Sequence, residues 1–207
     1  MDRIELGGST LHYLGVVRGP VTEGDRVRAA VEEIRPEAVA VSLGLELLQG
    51  LEAWDGTPAE PTTVEEEVYA ERMAAFGEVR KPPPCFVEAL RAAGEVGASC
   101  VPLDMDDIAF TNAFTEHVGT WEMMRQGAFA EKKLPQLEFM AETPQSFALE
   151  FDAVLRRGRG YQRLEAAREA HMAECLRALA QKHRKILAVI EIERAAGVLD
   201  ALRTRPR

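Results

Sequence analysis

The 207 residues include 25 basic and 34 acidic side chains, so the formal net charge is −9. An acidic chain is repelled by phosphate backbones, which argues against nucleic acid as a partner. No apolar stretch approaches the roughly 20 residues that cross a bilayer, and the N-terminus lacks the apolar core of a secretion signal. The three cysteines are widely spaced and contain no CxxC pair, as is typical of the reducing cytoplasm. We therefore expect a single cytoplasmic domain over residues 1–207, with no membrane partner.

Apolar runs predict the strands of a small sheet. Residues 10–17, 38–41, 99–103 and 186–190 are rich in β-branched and other apolar side chains. Continuous apolar character of this kind is typical of buried, parallel strands. The pattern predicts an α/β fold with a mostly parallel sheet of about four or more strands.

Helical periodicity fills the segments between these strands. The predicted helices cover residues 27–34, 45–51, 64–77, 86–97, 161–183 and 198–202. Residues 106–156 carry only helical signals, interrupted by glycines and prolines, and form a long helical insertion before the last strand. The sequence leaves open whether this insertion covers a functional site as a lid.

Charged and polar side chains follow each predicted strand. These residues are Arg18, Ser42, Asp104, Glu191, Glu193 and Arg194. In open α/β sheets, ligands bind at the carboxyl ends of the strands, so we expect these side chains to converge on one edge. The alternative interpretation is that strand ends are simply where a chain becomes polar.

Arg168 lies on an otherwise apolar helix stripe, four residues from both Leu164 and Met172. Because an unpaired buried charge is very costly, a guanidinium at this position needs a carboxylate partner. We expect that partner to be Asp104 or Glu193. The alternative is that the guanidinium extends along the apolar surface into solvent.

The sequence predicts neither a metal site nor a cofactor. His171 and Cys175 are spaced i, i+4 and can lie side by side, but no third or fourth ligand is close in sequence. The chain also lacks a GxSxG nucleophile motif and a Walker-type phosphate loop.

Five short motifs occur in order along nearly the whole chain. They are Gly-Val-Val-Arg at 15–18, Pro-Glu-Ala-Val-Ala-Val-Ser-Leu at 36–43, Val-Pro-Leu-Asp at 101–104, Arg168 with Met172, and Val-Ile-Glu-Ile-Glu-Arg-Ala-Ala-Gly-Val at 189–198. Together they resemble the TraB (pheromone-shutdown) family, related to the Tiki proteases and to EreA/ChaN-like folds. The resemblance implies counterparts of the family's Gly-Thr-x-His, Val-Glu-Leu and Gly-x-x-His-x-x-Gly motifs.

The chain departs from the family pattern at four of these positions. Arg18 and Arg194 stand where the family has histidines, Ser42 replaces the motif glutamate, and Glu191 replaces a late glycine. In catalytic relatives those histidines and that glutamate are implied to bind metal or move protons. Arginine stays charged and offers only hydrogen-bond donors. The resemblance therefore does not extend metal-dependent peptidase or esterase activity to this chain.

These substitutions favour a binding or regulatory module over the family's usual enzyme. Two arginines at facing strand ends can hold a small anionic ligand in forked hydrogen bonds, and if left unneutralised they favour a dianion such as phosphate. The candidate ligand-binding residues are Arg18, Ser42, Arg168 and Arg194. Alternatively, the carboxylates Asp104, Glu191 and Glu193 pair with these arginines, and the site is then structural and inactive.

Two other functions stay open from the sequence. One is a divergent hydrolase in which Glu191 or Glu193 acts as general base, with Asp104 a further candidate catalytic residue and arginines holding an anionic substrate. The other is a subunit that mediates assembly, for example as a homo-oligomer. That function predicts an apolar surface on the insertion around Phe110, Phe114, Trp121 and Phe129.

Overall fold

The sheet has five strands, four of which run parallel. The computed structural model describes residues 1–204, and its strands are β1 (Asp2–Leu6), β2 (Ser9–Val16), β3 (Ala38–Val41), β4 (Ser99–Pro102) and β5 (Lys185–Glu191). Their order is β1-β2-β5-β3-β4, with only β1 and β2 paired antiparallel. The predicted α/β class and the mostly parallel sheet are confirmed.

The edge strand β1 was not predicted from the sequence. Its short polar–apolar alternation places only Ile4 and Leu6 toward the protein, which is a weak strand signal. Gly7 and Gly8 adopt positive φ angles of 61° and 89°, which glycine tolerates best, and turn the chain back into β2.

Helices cover both faces of the sheet. Within residues 1–204 they are α1 (Val21–Ile34), α2 (Leu45–Glu52), α3 (Val64–Met73), α4 (Pro84–Val96), α5 (Asp107–His117), α6 (Thr120–Lys132), α7 (Pro144–Leu155), α8 (Arg159–Ala180) and α9 (Ile192–Arg203). Helices α1 and α4 pack on one face through side chains such as Val39 and Leu187. Helices α8 and α9 pack on the other through Leu11 and Ala188. The sheet is therefore the middle layer of three.

The last strand passes directly into the last helix. The sequence predicted a helix only over 198–202, and this boundary was wrong: Glu191 ends β5 and is also the N-cap of α9, with φ −52° and ψ 132°. Its backbone N–H donates to the Ser42 hydroxyl at 3.0 Å, which fixes the turn. As a result Glu193 and Arg194 lie in the first turn of α9 rather than in a loop.

A third apolar cluster covers the carboxyl edge of the sheet. Val17 packs there against Tyr69 of α3 and against Phe147 and Phe151 of α7. The helical insertion therefore reaches the strand ends, together with α3 from the preceding connection. No helix in the described part of the chain is long and apolar enough to cross a membrane.

The insertion carries part of the apolar surface that an assembly role predicts. Trp121 is 76% exposed and Phe110 is 36% exposed, whereas Phe129 packs against the third apolar cluster. Phe114 packs between Phe110 and Tyr161, with ring centroids 6.1 and 6.2 Å away. The exposed aromatic surface is thus smaller than the four-residue surface that was predicted.

Candidate functional site

Charged side chains from six parts of the chain meet at the carboxyl edge and form what we call the strand-end cluster. They come from the ends of β2 and β5, from the segment after β4, and from α7, α8 and α9. The members are Arg18, Asp104, Asp152, Arg156, Glu165, Arg168, Glu191, Glu193 and Arg194. The predicted convergence of the strand-end charges is confirmed.

Arg168 is paired as the sequence predicted. Its Nε lies 3.2 Å from both carboxylate oxygens of Asp104, its Nη2 also donates to Asp104, and its Nη1 donates to Glu165 at 2.8 Å. Phe110 of α5 lies over the guanidinium, 5.5 Å from ring centroid to Cζ. The Arg168 side chain is only 15% exposed, so it does not extend into solvent, and Glu193 is not its partner.

Arg194 is buried and its charge is neutralised on two sides. Its Nε donates to Glu165 at 3.0 Å, and its Nη1 donates to Glu191. Glu165 also pairs with Arg156 at 2.7 Å. Burial alone would raise the pKa of Glu165, but Arg194, Arg168 and Arg156 outweigh it and hold that pKa below its ordinary value. Arg194 is therefore paired with carboxylates of the protein itself, which is the alternative to ligand binding that the sequence left open.

Ser42 is placed to hold the backbone rather than a ligand. The residue is 2% exposed, and its hydroxyl accepts the N–H of Glu191. This contact ties the end of β3 to the end of β5, so Ser42 sets where Glu191 begins its turn into α9.

Arg18 differs from the other arginines of the cluster. Its side chain is 42% exposed, and it lies 3.1 Å (Nε) from Glu191 and 3.6 Å (Nη2) from Glu193. Neither contact has hydrogen-bond geometry, and within residues 1–204 the buried Nε has no hydrogen-bond partner. The guanidinium also lies over the Tyr69 ring, 5.4 Å from the centroid, and the Tyr69 hydroxyl donates to the Arg18 carbonyl. Arg18 is therefore held in place while part of its side chain stays in contact with solvent.

Glu193 is the second incompletely paired member. Its side chain is 1% exposed, and in the described part of the chain its Oε2 has no hydrogen-bond partner. Burial, and then the neighbouring Glu191 carboxylate, raise the pKa of Glu193 above its ordinary value. Burial acts on Glu191 in the same direction, but Arg194 and Arg18 outweigh it and lower the pKa of Glu191. The pKa values of these two neighbouring glutamates are therefore shifted in opposite directions.

Sequence reasoning missed four residues of this region, namely Asp152, Arg156, Glu165 and Tyr69. Glu165 and Asp152 had a usable signal, since they lie three and four residues before Arg168 and Arg156, at helical pairing distance. Tyr69 had none, because only the packing of α3 against the strand ends brings its ring under Arg18.

The described residues provide no arrangement for a metal ion. Among residues 1–204, no group of three or more His, Cys, Asp or Glu side chains could hold one. His171 Nε2 and Cys175 Sγ do meet, at 3.6 Å. Burial raises the pKa of the Cys175 thiol and so disfavours the thiolate.

Two surface grooves lie apart from the cluster. One, of about 520 Å³, runs between Arg72 on α3 and residues 136–141. The other, of about 440 Å³, lies beside Trp54 and the start of α4. Neither is lined by a member of the strand-end cluster. At 42%, Arg18 is the most exposed of the ion-paired side chains in the cluster.

These features define an α/β protein whose sheet carries a network of ion pairs at its carboxyl edge, with the Arg18 side chain partly exposed to solvent. No family model matches the chain, and no curated protein matches it significantly.

Proposed function

We propose that this chain is a TraB-like α/β protein that lacks the family's catalytic set and acts as a binding or regulatory module for a small anion. The observation that carries the proposal is Arg18. Its side chain is 42% exposed, and its Nε lies 3.1 Å from Glu191 but has no hydrogen-bond partner within residues 1–204, whereas Arg168 and Arg194 donate hydrogen bonds to carboxylates. An anion would bind the solvent-exposed part of the Arg18 side chain rather than the buried Nε.

The positions of the motif residues support the TraB-like part of the proposal. Arg18, Ser42, Asp104 and Arg168, which correspond to four separate family motifs, lie at or beside one edge of the sheet. These four residues are spread over 150 positions of the sequence, and the fold brings them together at the strand ends. The family resemblance implies a functional centre at that place.

The charge of the cluster favours a singly charged anion over a doubly charged one. Its nine members comprise four arginines and five carboxylates, so no excess of positive charge remains for a dianion. Because Coulomb energy scales with the ligand charge, a second negative charge would increase the repulsion from Glu191 and Glu193. The sequence-based expectation of a dianion required two unneutralised arginines, but Arg18 and Arg194 are both paired with carboxylates. The proposed ligand is instead a small monoanion such as a carboxylate.

We expect formate to raise the melting temperature of the protein through Arg18, and inorganic phosphate to do so less. A ligand that binds only the native state stabilises it by mass action. The measurement is a thermal melt at constant ionic strength over a series of formate and phosphate concentrations. Arg18→Met should remove the formate-dependent shift.

Arg26→Met is the matched control. Arg26 has the same 42% side-chain exposure, but its guanidinium is hydrogen-bonded to Glu23 and to the Gly15 carbonyl. The variant should keep the formate-dependent shift even if its melting temperature falls. Equal formate shifts in wild type and Arg18→Met would reject the anion site and leave Arg18 as an internal ion-pair partner.

A divergent hydrolase is the second candidate function, and Glu193 is the observation that favours it. A buried carboxyl with a raised pKa and an unpaired oxygen suits a general acid or base. Hydrolysis also needs a water molecule between that carboxyl and the scissile bond, and the Glu193 side chain is only 1% exposed. The geometry therefore supports binding better than hydrolysis.

Turnover on a panel of ester, peptide and phosphate substrates separates the two functions. A binding module should show none, in wild type or in Glu193→Gln. Turnover that Glu193→Gln abolishes, with the fold retained by circular dichroism, would establish the hydrolase and reject the binding module.

A further inference from the structure

We infer that Glu193 is an internal competitor for Arg18, so that the anion binds together with one proton, which Glu193 takes up. This inference rests on the proposed function, because it describes how the same site is regulated. It also defines the ligand class as small oxyanions. An oxyanion and one proton together leave solution, which is equivalent to binding one molecule of the neutral oxyacid.

The geometry shows a shared guanidinium. Glu191 and Glu193 approach Arg18 from the end of β5 and the first turn of α9, at 3.1 and 3.6 Å. Glu191 has a second guanidinium, Arg194, bound to its other oxygen. Glu193 has only the longer contact to Arg18, and its Oε2 has no partner in residues 1–204. Glu193 is therefore the carboxylate that depends on Arg18 and holds it least firmly.

The groups around Glu193 set the direction of the proton step. Arg18 faces it from the end of β2, Glu191 from β5, Arg194 from α9 and Tyr69 from α3. Helix α7 also packs on α9, but its Asp152 pairs with Arg156 at the end of the helix, and Arg156 also pairs with Glu165. Burial and Glu191 raise the pKa of Glu193, which favours its neutral form once Arg18 is engaged elsewhere.

An incoming anion and Glu193 cannot both use Arg18 fully. When an oxyanion accepts hydrogen bonds from Arg18, the ionised Glu193 carboxylate is left buried beside Glu191 without its counter-ion. Protonation of one Glu193 oxygen removes that charge. Each binding event then adds one anion and one proton, and the net charge of the complex equals that of the free protein.

The experiment is calorimetric titration of the full chain with formate between about pH 5.5 and 8, where formate stays ionised. Above the pKa of Glu193 in the free protein, the formate affinity of wild type should fall by up to about tenfold per pH unit, as linkage to one proton requires. Glutamine at position 193 carries no charge and does not titrate. Glu193→Gln should therefore bind formate with little pH dependence, and more tightly than wild type at the upper end of the range.

Glu23→Gln is the matched control. Glu23 is also buried, 5% exposed, but it is paired with Arg26 and accepts the Val17 N–H, outside the cluster. This variant should keep the wild-type pH dependence. A second measurement needs no variant: titrations in buffers of different ionisation enthalpy should show uptake of one proton per formate by wild type.

The outcomes separate this inference from the proposed function. Formate binding that depends on Arg18 but takes up no proton, or a Glu193→Gln variant that keeps the wild-type slope, would overturn the inference and leave the anion site standing. An absence of formate binding by wild type at every pH would overturn the anion site itself.

Discussion

Replacing Arg194 by methionine is expected to lower the free energy of unfolding by about 3–5 kcal/mol, the cost typical of removing one partner of a buried ion pair. Arg194 is 6% exposed and is the shared partner of Glu191 and Glu165. Its loss leaves Glu191, 5% exposed, with Arg18 as its only close guanidinium among the described residues. The measurement is urea denaturation near neutral pH.

The expected loss has a pH dependence that identifies its cause. Arg194 lowers the pKa of Glu191, so the stabilisation from this pair is present above the ordinary glutamate pKa and is lost as the pH falls through the folded-state value. The difference between wild type and Arg194→Met should therefore shrink in acid.

Arg203→Met provides the surface comparison for this substitution. Arg203 lies on the same helix, is 75% exposed and pairs loosely with Asp200 at 3.6 Å. An exposed pair of this kind contributes about 0–1 kcal/mol. If Arg194→Met lowered the free energy of unfolding no more than Arg203→Met does, the ion pairs of the strand-end cluster would not stabilise the fold.

Gly44→Ala is expected to lower the free energy of unfolding by about 1–3 kcal/mol, the usual cost of overpacking. A Cβ at Gly44 would lie 2.5 Å from the Met105 carbonyl oxygen. That oxygen belongs to backbone, and the Asp104 N–H is held by the Leu43 carbonyl at 3.1 Å, so neither segment can move aside easily. The change also displaces the loop that presents Asp104 to Arg168.

Gly50→Ala should instead raise the free energy of unfolding. Gly50 lies in α2, six residues further on, and a Cβ there meets no atom within 4 Å. Alanine in place of glycine inside a helix stabilises by about 0.5–1 kcal/mol. Urea denaturation of both variants tests the close approach at Gly44, and a neutral or stabilising Gly44→Ala would contradict it.

The sheet could be predicted from the sequence because its central strands, β3 and β5, are buried on both faces. Residues 38–41 and 186–190 are continuous apolar runs, and each forms a strand with bounds close to those predicted. β1 lacked such a run. The start of α9 was misplaced by six residues, because a strand that turns into a helix at Glu191 without an intervening loop leaves no break in the sequence.

Part of the candidate site could also be predicted. The topology of a parallel sheet brings the carboxyl ends of its strands together, so Arg18, Asp104 and Glu191 were expected at one edge. The cost of burying an unpaired charge predicted a carboxylate partner for Arg168, and Asp104 is that partner. Both inferences follow from rules that need no coordinates.

The sequence by itself thus determined the fold class, the edge where the charges meet and the need for Arg168 to be paired. Only the tertiary structure decided which carboxylate each arginine contacts, because ion pairing depends on distances of a few ångströms between elements far apart in sequence. It buried Arg194 between Glu191 and Glu165, and it left the Arg18 side chain partly exposed over Tyr69, with Glu193 as the more distant of its two carboxylate partners. Arg18 and Arg194 follow the ends of two neighbouring strands, β2 and β5. Their packing alone makes Arg194 a buried ion-pair partner and leaves Arg18 in contact with solvent.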